Sequence, residues 1–571
     1  MKNIFLLYKV IPDKNKIFFW TILILTFGKS VFDLIGLGSL VPLIYAIFDQ
    51  ESLISNKYLV FLNLSQYSEL KIIYYSTAFI FLIFLIKNIY IFFYNYLLVS
   101  FLNSVFNNLS KKIFSNSLDL FDGSSYEYNS SELVKVIYQE INAYSSTLLN
   151  NIFTICTDLV FIFLLLGILS FQKDGLLLLF ILPLFLLGYI YYNYFKKYTK
   201  AIGAKRLEYD THRLKGLKDT FDLLKIIKVL KKTDNFKYYV ERYTYKSAEQ
   251  GKRFVIISRL LSVIIEMSII SVFCISIYFF SNNIEQFKSL LPLIVLILFS
   301  SIKFMPMLSR LTLAFQKLKF HENLIKKLDS LSHKSILKKF ENKKDIEFNN
   351  QIEFQKVSFF YAQENDNKMI FDNLNIKIEK NQCIGIIGPS GSGKSTLLEI
   401  FCGLLETSSG SIYYDGKELN QAQARFSTSY VSQDTRILNT TLKKNITLNF
   451  KNVDREFNEA KYKNAIEKSN VSNFINQLNN KDDTLLGDLG SSISGGQRQR
   501  IGIARAIYHD AEILILDEFT SSLDEKNEKS ILQDVKLIKN FKTIIMSTHK
   551  KDILTICDRV YKIDQKNLKI L

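Results

Sequence analysis

Residues 175–195 read GLLLLFILPLFLLGYIYYNYF, a stretch without one charge and long enough to cross a bilayer core as a helix. A chain holding such a run must bury it whole or place it in lipid, and in lipid its backbone groups must be satisfied within the segment itself. Five further segments share this character, near 17–48, 72–102, 150–171, 254–280 and 289–315. All six fall in the first 320 of 571 residues, so the overall hydrophobic share of 48 % averages two unlike halves. The first span contains GLGSLVP (Gly36 to Pro42), where glycines and the missing proline donor predict a kink.

Lysine and arginine set the orientation. Residues 103–149 and 196–253 are long and basic, whereas 49–71, 172–174 and 281–288 are short and nearly neutral. The N-terminus, both long loops and the C-terminal half are therefore expected on the cytoplasmic side. The same pattern accounts for the net charge of +18, because no basic run sits on a nucleic-acid-binding module. The long loops carry apolar residues at helical spacing, so the membrane helices are predicted to run past the bilayer and turn at tips near 122–133 and 217–228. Residues 49–70 mix apolar and polar positions and read as an external loop or an interfacial helix. The five cysteines show no metal or CxxC spacing and read as reduced packing residues. No cleavable signal peptide is expected, since the first apolar stretch is too long for one.

The pattern changes after 325. A charged segment, 326–345, is expected to link a membrane domain (1–325) to an α/β domain (346–571) in which short strands alternate with helices. GPSGSGKST, with Gly388, Ser390, Gly391, Gly393, Lys394, Ser395 and Thr396, follows the strand-like QCIGIIG and opens a helix. Backbone amides of such a loop cradle phosphates; Lys394 would bind the β- and γ-phosphates and Ser395 would ligate Mg²⁺. ILILDE (Ile513 to Glu518) is a buried strand ending in two acids, at the strand end where α/β sheets place their sites. Asp517 suits the magnesium shell and Glu518 the base that activates water.

ISGGQRQRIGIARA (Ile493 to Ala506) resembles the signature of ATP-binding cassette (ABC) transporters, with Ile493 where leucine is usual. The resemblance implies roles for further residues. Tyr361 would stack on adenine, Gln433 would belong to the Q-loop and the metal shell, Asp524 to the D-loop SSLD, and His549 would be the switch histidine. Asp488 stands where glutamate is commoner in the exporter-specific loop TLLGDLG, and Phe519 replaces a small residue after the catalytic acid. Six spans followed by one nucleotide-binding domain is the half-transporter layout of ABC exporters. The implied fold is an all-α transmembrane domain of six long helices followed by a P-loop ATPase domain with a helical subdomain. A dimer is implied too, of two identical chains or of sister chains, with each ATP between Lys394 of one and Ser494, Gly495, Gly496 and Gln497 of the other.

Charges within the spans suggest the cargo. Counted from the external helix ends, Lys87 and Lys303 lie about 22 Å deep and Arg259 and Arg310 about 32 Å deep. A cation costs at least about 2.5 kcal/mol at the bilayer centre, so each needs a partner. Snorkelling or pairing with Asp33, Asp158 or Glu266 is one reading; an anionic substrate crossing a cavity is the preferred one. With DLIGLGSLVPLI in the first span, the placement resembles flippases that move polyprenyl-diphosphate oligosaccharides across the bacterial inner membrane for protein glycosylation. Lipid A-like glycolipids and peptides are the alternative cargoes, and a regulated channel or sensor is the alternative class.

Overall fold

A computed structural model describes residues 2–40, 43, 68–119, 130–170, 176–280, 306–333, 348–362, 367–418, 428–450, 457–487, 490–521, 523–564 and 566–571. These fall into two compact units, one drawn from 1–119 and 127–336 and the other running from 337 to the C-terminus.

The first unit is helical. A short helix α1 (Lys2–Val10) leads into α2 (Asp13–Gly38). Then come α3 (Glu69–Asp119) and α4 (residues 130–170), followed by α5 (Leu176–Asp222), a short α6 (Leu224–Val229) and α7 (Thr233–Phe280). Residues 306–320 form α8, and Glu322–His333 form α9. Among the described residues, Asp13–Gly38, Leu70–Leu118 and Glu132–Leu165 are long and apolar enough to cross a membrane. The 51 residues of α3 span about 76 Å, more than twice a hydrocarbon core. A helix of that length is long enough to run past a hydrocarbon core, and α6 forms the bend between α5 and α7. Helix α4 begins some 20 residues before the apolar span at 150. It is interrupted by two π-helical segments, Val136–Glu140 and Ala143–Leu149.

The core of this unit runs along α2, α3 and α4. Phe19, Phe101 and Phe153 interlock there, with Phe101 edge-on to Phe153 at 5.7 Å. Tyr144 donates to the carbonyl of Leu7 at 2.7 Å and fastens α1. Helix α9 corrects the expected linker. Leu324, Ile325, Leu328 and Leu331 point at helical spacing into the core, so residues 326–333 belong to the packed unit despite their lysines. The Gly36–Pro42 kink, most of 49–70, the tip at 122–133 and Lys303 lie wholly or partly outside the described residues.

The second unit joins two sheets. Strands β1 (Gln351–Ala362), β2 (Asn367–Glu379), β4 (Ser409–Tyr414) and β5 (Lys417–Glu418) form an antiparallel sheet ordered β2-β1-β4-β5. The second sheet contains β3 (Cys383–Ile387), β6 (Thr428–Val431), β7 (Ile513–Asp517), β8 (Thr543–Ser547), β9 (Arg559–Asp564) and β10 (Asn567–Ile570). Its order is β10-β9-β3-β8-β7-β6, parallel except for β10.

Strand β7 is buried on both faces, as a parallel strand covered by helices should be. Its period of two divides the core: Ile513 and Ile515 join one cluster, Leu514 and Leu516 the other. Helices accompanying the sheets include α10 (Lys394–Phe401), α11 (Leu442–Thr447), α12 (Glu459–Lys468), α13 (Gly495–Tyr508) and α14 (Glu525–Ile538).

Candidate functional site

The loop between β3 and α10 turns on glycines. Gly391 and Gly393 adopt φ of 79° and 103°, and a β-carbon on Gly393 would lie 2.7 Å from the Ile370 side chain. Lys394, at the start of α10, is buried. Its ammonium donates to the carbonyls of Gly388 and Pro389 at 3.1 and 3.3 Å. The same nitrogen is 3.5 Å from Glu518 Oε1 and 2.9 Å from His549 Nε2. His549 Nε2 in turn lies 2.9 Å from Glu518 Oε1. A neutral imidazole protonated on Nδ1 accepts from the lysine there; one protonated on Nε2 donates to the carboxylate. Three residues separated by up to 155 positions thus converge at the ends of β3, β7 and β8.

Asp517 closes β7. Its Oδ1 accepts from Ser547 Oγ at 2.6 Å and its Oδ2 from the Tyr430 hydroxyl at 2.8 Å. Burial, then the Asp517 carboxylate, pushes the Tyr430 phenol well above its ordinary value, so it stays a donor. Glu518 has φ of 41°, a left-handed backbone that a non-glycine residue seldom takes. Gln433 Nε2 donates to Ser521 Oγ at 3.2 Å, and the Gln433 carbonyl accepts from Gln499 of α13 at 2.8 Å. Tyr361 is the last residue but one of β1, with its hydroxyl 3.2 Å from Thr396 Oγ1. Ser494 caps α13 in a reciprocal pair with Gln497: the Gln497 amide donates to Ser494 Oγ, and the Ser494 amide donates to Gln497 Oε1. Asp524 caps α14 by accepting from the Asn527 amide. Asp488 and Ser522 lie outside the described residues.

These residues fit a nucleotide and a divalent cation. Ser392 Oγ, inside the glycine loop, is buried with no partner. Asp517 is buried, takes part in none of the described ion pairs, and accepts from two neutral hydroxyls. Such an oxygen set suits a hard cation. Ser395 is exposed at the mouth of α10. No group of three histidine, cysteine or acidic side chains is poised for a metal among the described residues, so Ser395, Gln433 and Asp517 remain the candidate ligands.

Among the described residues, two of the membrane cations, Lys87 and Arg310, face acids. Lys87 Nζ of α3 lies 3.0 Å from Asp33 Oδ1 of α2, and Gly36 lets it pass, since a β-carbon there would sit 3.3 Å from Lys87 Cδ. Arg310 of α8 makes a forked contact with Asp158 of α4, at 3.1 and 3.4 Å. The expectation of cations held open for substrate is thereby amended: in this structure Lys87 and Arg310 each hold an acid. Lys29, which the depth pattern does not single out, belongs to the same cluster. Its ammonium lies 4.8 Å from the Tyr94 ring centre, within the field of Asp33 and Asp158. Ser30 Oγ donates to the Thr157 carbonyl at 2.8 Å, bringing the two acid-bearing helices together.

A phosphate-binding loop at the end of β3, with acids at the end of β7 two strands away and a capped glycine helix, is the arrangement of a P-loop nucleotide-binding fold. Residues 371–521 match the family model described as ABC transporter. A probable ABC transporter ATP-binding/permease protein of Haemophilus influenzae is 35 % identical over 240 residues, 42 % of each chain. An ATP-dependent lipid A-core flippase of Ralstonia nicotianae is 33 % identical over 212 residues, 37 % of this chain and 35 % of that one. The chain therefore aligns with about two fifths of the length of these curated relatives. A bacterial Atm1-family ABC exporter solved with ATP bound superposes with a TM-score of 0.78 at 18 % identity, covering 95 % of this chain and 94 % of that one. The fold is that of an ABC exporter, and it carries an ABC transporter domain.

Proposed function

We propose that the protein is an ATP-driven exporter that flips a polyprenyl-diphosphate oligosaccharide from the cytoplasmic to the periplasmic face of a bacterial inner membrane. Two copies would assemble, each ATP and its Mg²⁺ held by Lys394, Ser395, Gln433 and Asp517 of one copy and by the Ser494–Gln497 segment of the other. Bound magnesium would neutralise phosphate charge. Glu518 would take the proton of the attacking water, and His549, already touching Glu518 and Lys394, would hold that carboxylate in place. Lys394 would leave its loop carbonyls for the phosphates.

The observation that carries the substrate class is the charge cluster among the apolar helices. Lys29, Lys87 and Arg310 outnumber Asp33 and Asp158, so the set retains a positive excess. A diphosphate supplies the balancing charge, and its lipid tail suits the exposed apolar faces of α3. Arg259 and Lys303 are proposed to line the same path. A second reading, a lipid A-like glycolipid, is favoured by the relatives named as lipid A-core flippases.

Proteoliposomes holding labelled polyprenyl-diphosphate oligosaccharide or labelled lipid A separate the two readings. Flipping of the first, reduced in the Lys87→Gln, Lys303→Gln double variant while basal ATP hydrolysis persists, is the expected result. Wild-type flipping by that variant would mean the cations serve only as structural ion pairs. Passive ion flux without ATP would point to a channel.

A further inference from the structure

Asp517 is braced from both sides. Its strand β7 lies between β6 and β8. In the parallel register Ser547 stands directly across from Asp517, while Tyr430 pairs with Ile515 and reaches along the sheet. Ser547 is fully buried and Asp517 nearly so. A serine hydroxyl has one proton and two lone pairs. Ser547 gives its proton to Asp517 Oδ1 at 2.6 Å and accepts from the Glu518 amide at 3.0 Å; its carbonyl shares that amide at 3.2 Å. One hydroxyl therefore touches both acids of the pair, one through its carboxylate and the other through its backbone. Tyr430 holds the other Asp517 oxygen.

The positions along the chain matter as much as the distances. Gln433 follows Tyr430 by three residues, and His549 follows Ser547 by two. The strand ends bearing Gln433, Glu518 and His549 are thus cross-linked through a single carboxylate. Glu518 needs such a hold, because its left-handed backbone is costly unless its surroundings over-determine it.

We infer that Tyr430 and Ser547 are positioning residues: together they aim the Asp517 carboxylate at the divalent cation, and Ser547 also fixes the backbone of Glu518. Neither touches the nucleotide in this assignment, and both act through Asp517 or Glu518. The inference rests on Asp517 being the magnesium acid. Partners of metal ligands typically contribute about 10–100-fold to metal affinity or activity.

The test uses the full chain in lipid nanodiscs. Mn²⁺ binding is read by electron paramagnetic resonance with a non-hydrolysable ATP analogue present, and analogue binding is read separately in chelator. Ser547→Val and Ser547→Thr differ only in the hydroxyl, so the overpacking they share cancels. Valine should weaken Mn²⁺ binding about 10–100-fold and threonine should restore it, with metal-free nucleotide affinity unchanged in both. Tyr430→Phe should weaken Mn²⁺ binding in the same way. At saturating metal, turnover should fall further in Ser547→Val than in Tyr430→Phe, because only Ser547 holds Glu518. Equal Mn²⁺ affinity of the valine and threonine variants, or wild-type affinity in Tyr430→Phe, overturns the inference. If the valine variant does not fold, Tyr430→Phe carries the test alone. Failure of the wild-type protein to bind Mn²⁺ with the analogue would overturn the ATPase reading itself.

Discussion

Removing one member of the Lys87–Asp33 pair should cost more than removing both. The two groups are 3.0 Å apart, with side-chain exposures of 13 % and 18 %. At an effective dielectric of 20, their attraction is about 5–6 kcal/mol, most of it offset by the desolvation of both ions. The pair adds little net stability, but an orphaned charge is expensive. Breaking a buried pair costs about 3–5 kcal/mol, and the residual exposure here favours the lower end, about 3 kcal/mol. Asp33→Asn should therefore lower the melting temperature by about 6–12 °C on the scale of a large domain. Asp33→Asn with Lys87→Gln should recover more than half of that loss. The assay is thermal unfolding of the purified protein in detergent, followed by circular dichroism and by Trp20, the only tryptophan, which shares a helix with Asp33. A double variant that falls by the sum of the single losses would show that the groups do not couple, and would refute the pairing.

Glu518→Gln should keep ATP binding and slow turnover by about 10²–10⁴-fold; near-normal turnover would remove Glu518 from the role of base. A mixed dimer with Ser494→Arg in one chain and Lys394→Ala in the other should retain one intact ATP site, whereas both changes in one chain should damage both; equal ATP occupancy in the two arrangements would argue against a shared site. Burial alone would raise the Glu322 carboxyl, but hydrogen bonds from Lys200, Lys319 and Lys326 outweigh it and hold it at about 2. Its folded value being depressed, Glu322 contributes stability that is present above about pH 4.5 and lost as pH falls toward 2. Glu322→Gln should flatten that part of the acid-unfolding curve, and an unchanged curve would count against the three-lysine clasp.

What could be read in the sequence was what chemistry compresses into short spacing. The loop from Gly388 to Thr396, the strand ending in Asp517 and Glu518, and the capped start of α13 each need particular residue types at adjacent positions. Lys394 of the loop and Glu518 of the strand converge with His549 at the ends of β3, β7 and β8. Tyr430 and Ser547 were not legible, because each looks like an ordinary strand residue and gains its role only from the register of β6, β7 and β8. A hydroxyl two residues before His549 is the one hint the sequence offers. The ion pairs were hidden for another reason. Lys87 and Asp33 lie 54 positions apart, and depth arithmetic gives a height in the membrane but no direction around a helix. Lys29 stands one turn from Asp33 on the same helix, where a lysine alone signals no cluster. The helical content of 326–333 was masked by its lysines, whose apolar stems suit the rim of a packed face.

The two π-helical segments of α4 have a consequence for phase. Each closes its hydrogen bonds to the fifth residue instead of the fourth, so it holds one residue more than the regular pitch allows. One surplus residue displaces everything beyond it by about 100° around the axis. The helix therefore changes which side it shows partway along its length. Below the segments Lys135 reaches the Leu207 carbonyl and the Thr211 hydroxyl of α5; above them Phe153 and Thr157 face the aromatic and polar contacts of α2. A single rod with two surfaces of different rotational setting can be reset by one residue. Deleting one position from Ala143–Leu149 would let that stretch relax to regular pitch without loss of backbone hydrogen bonding. It would also swing Lys135 and Glu140 away from their neighbours while leaving the upper contacts where they are.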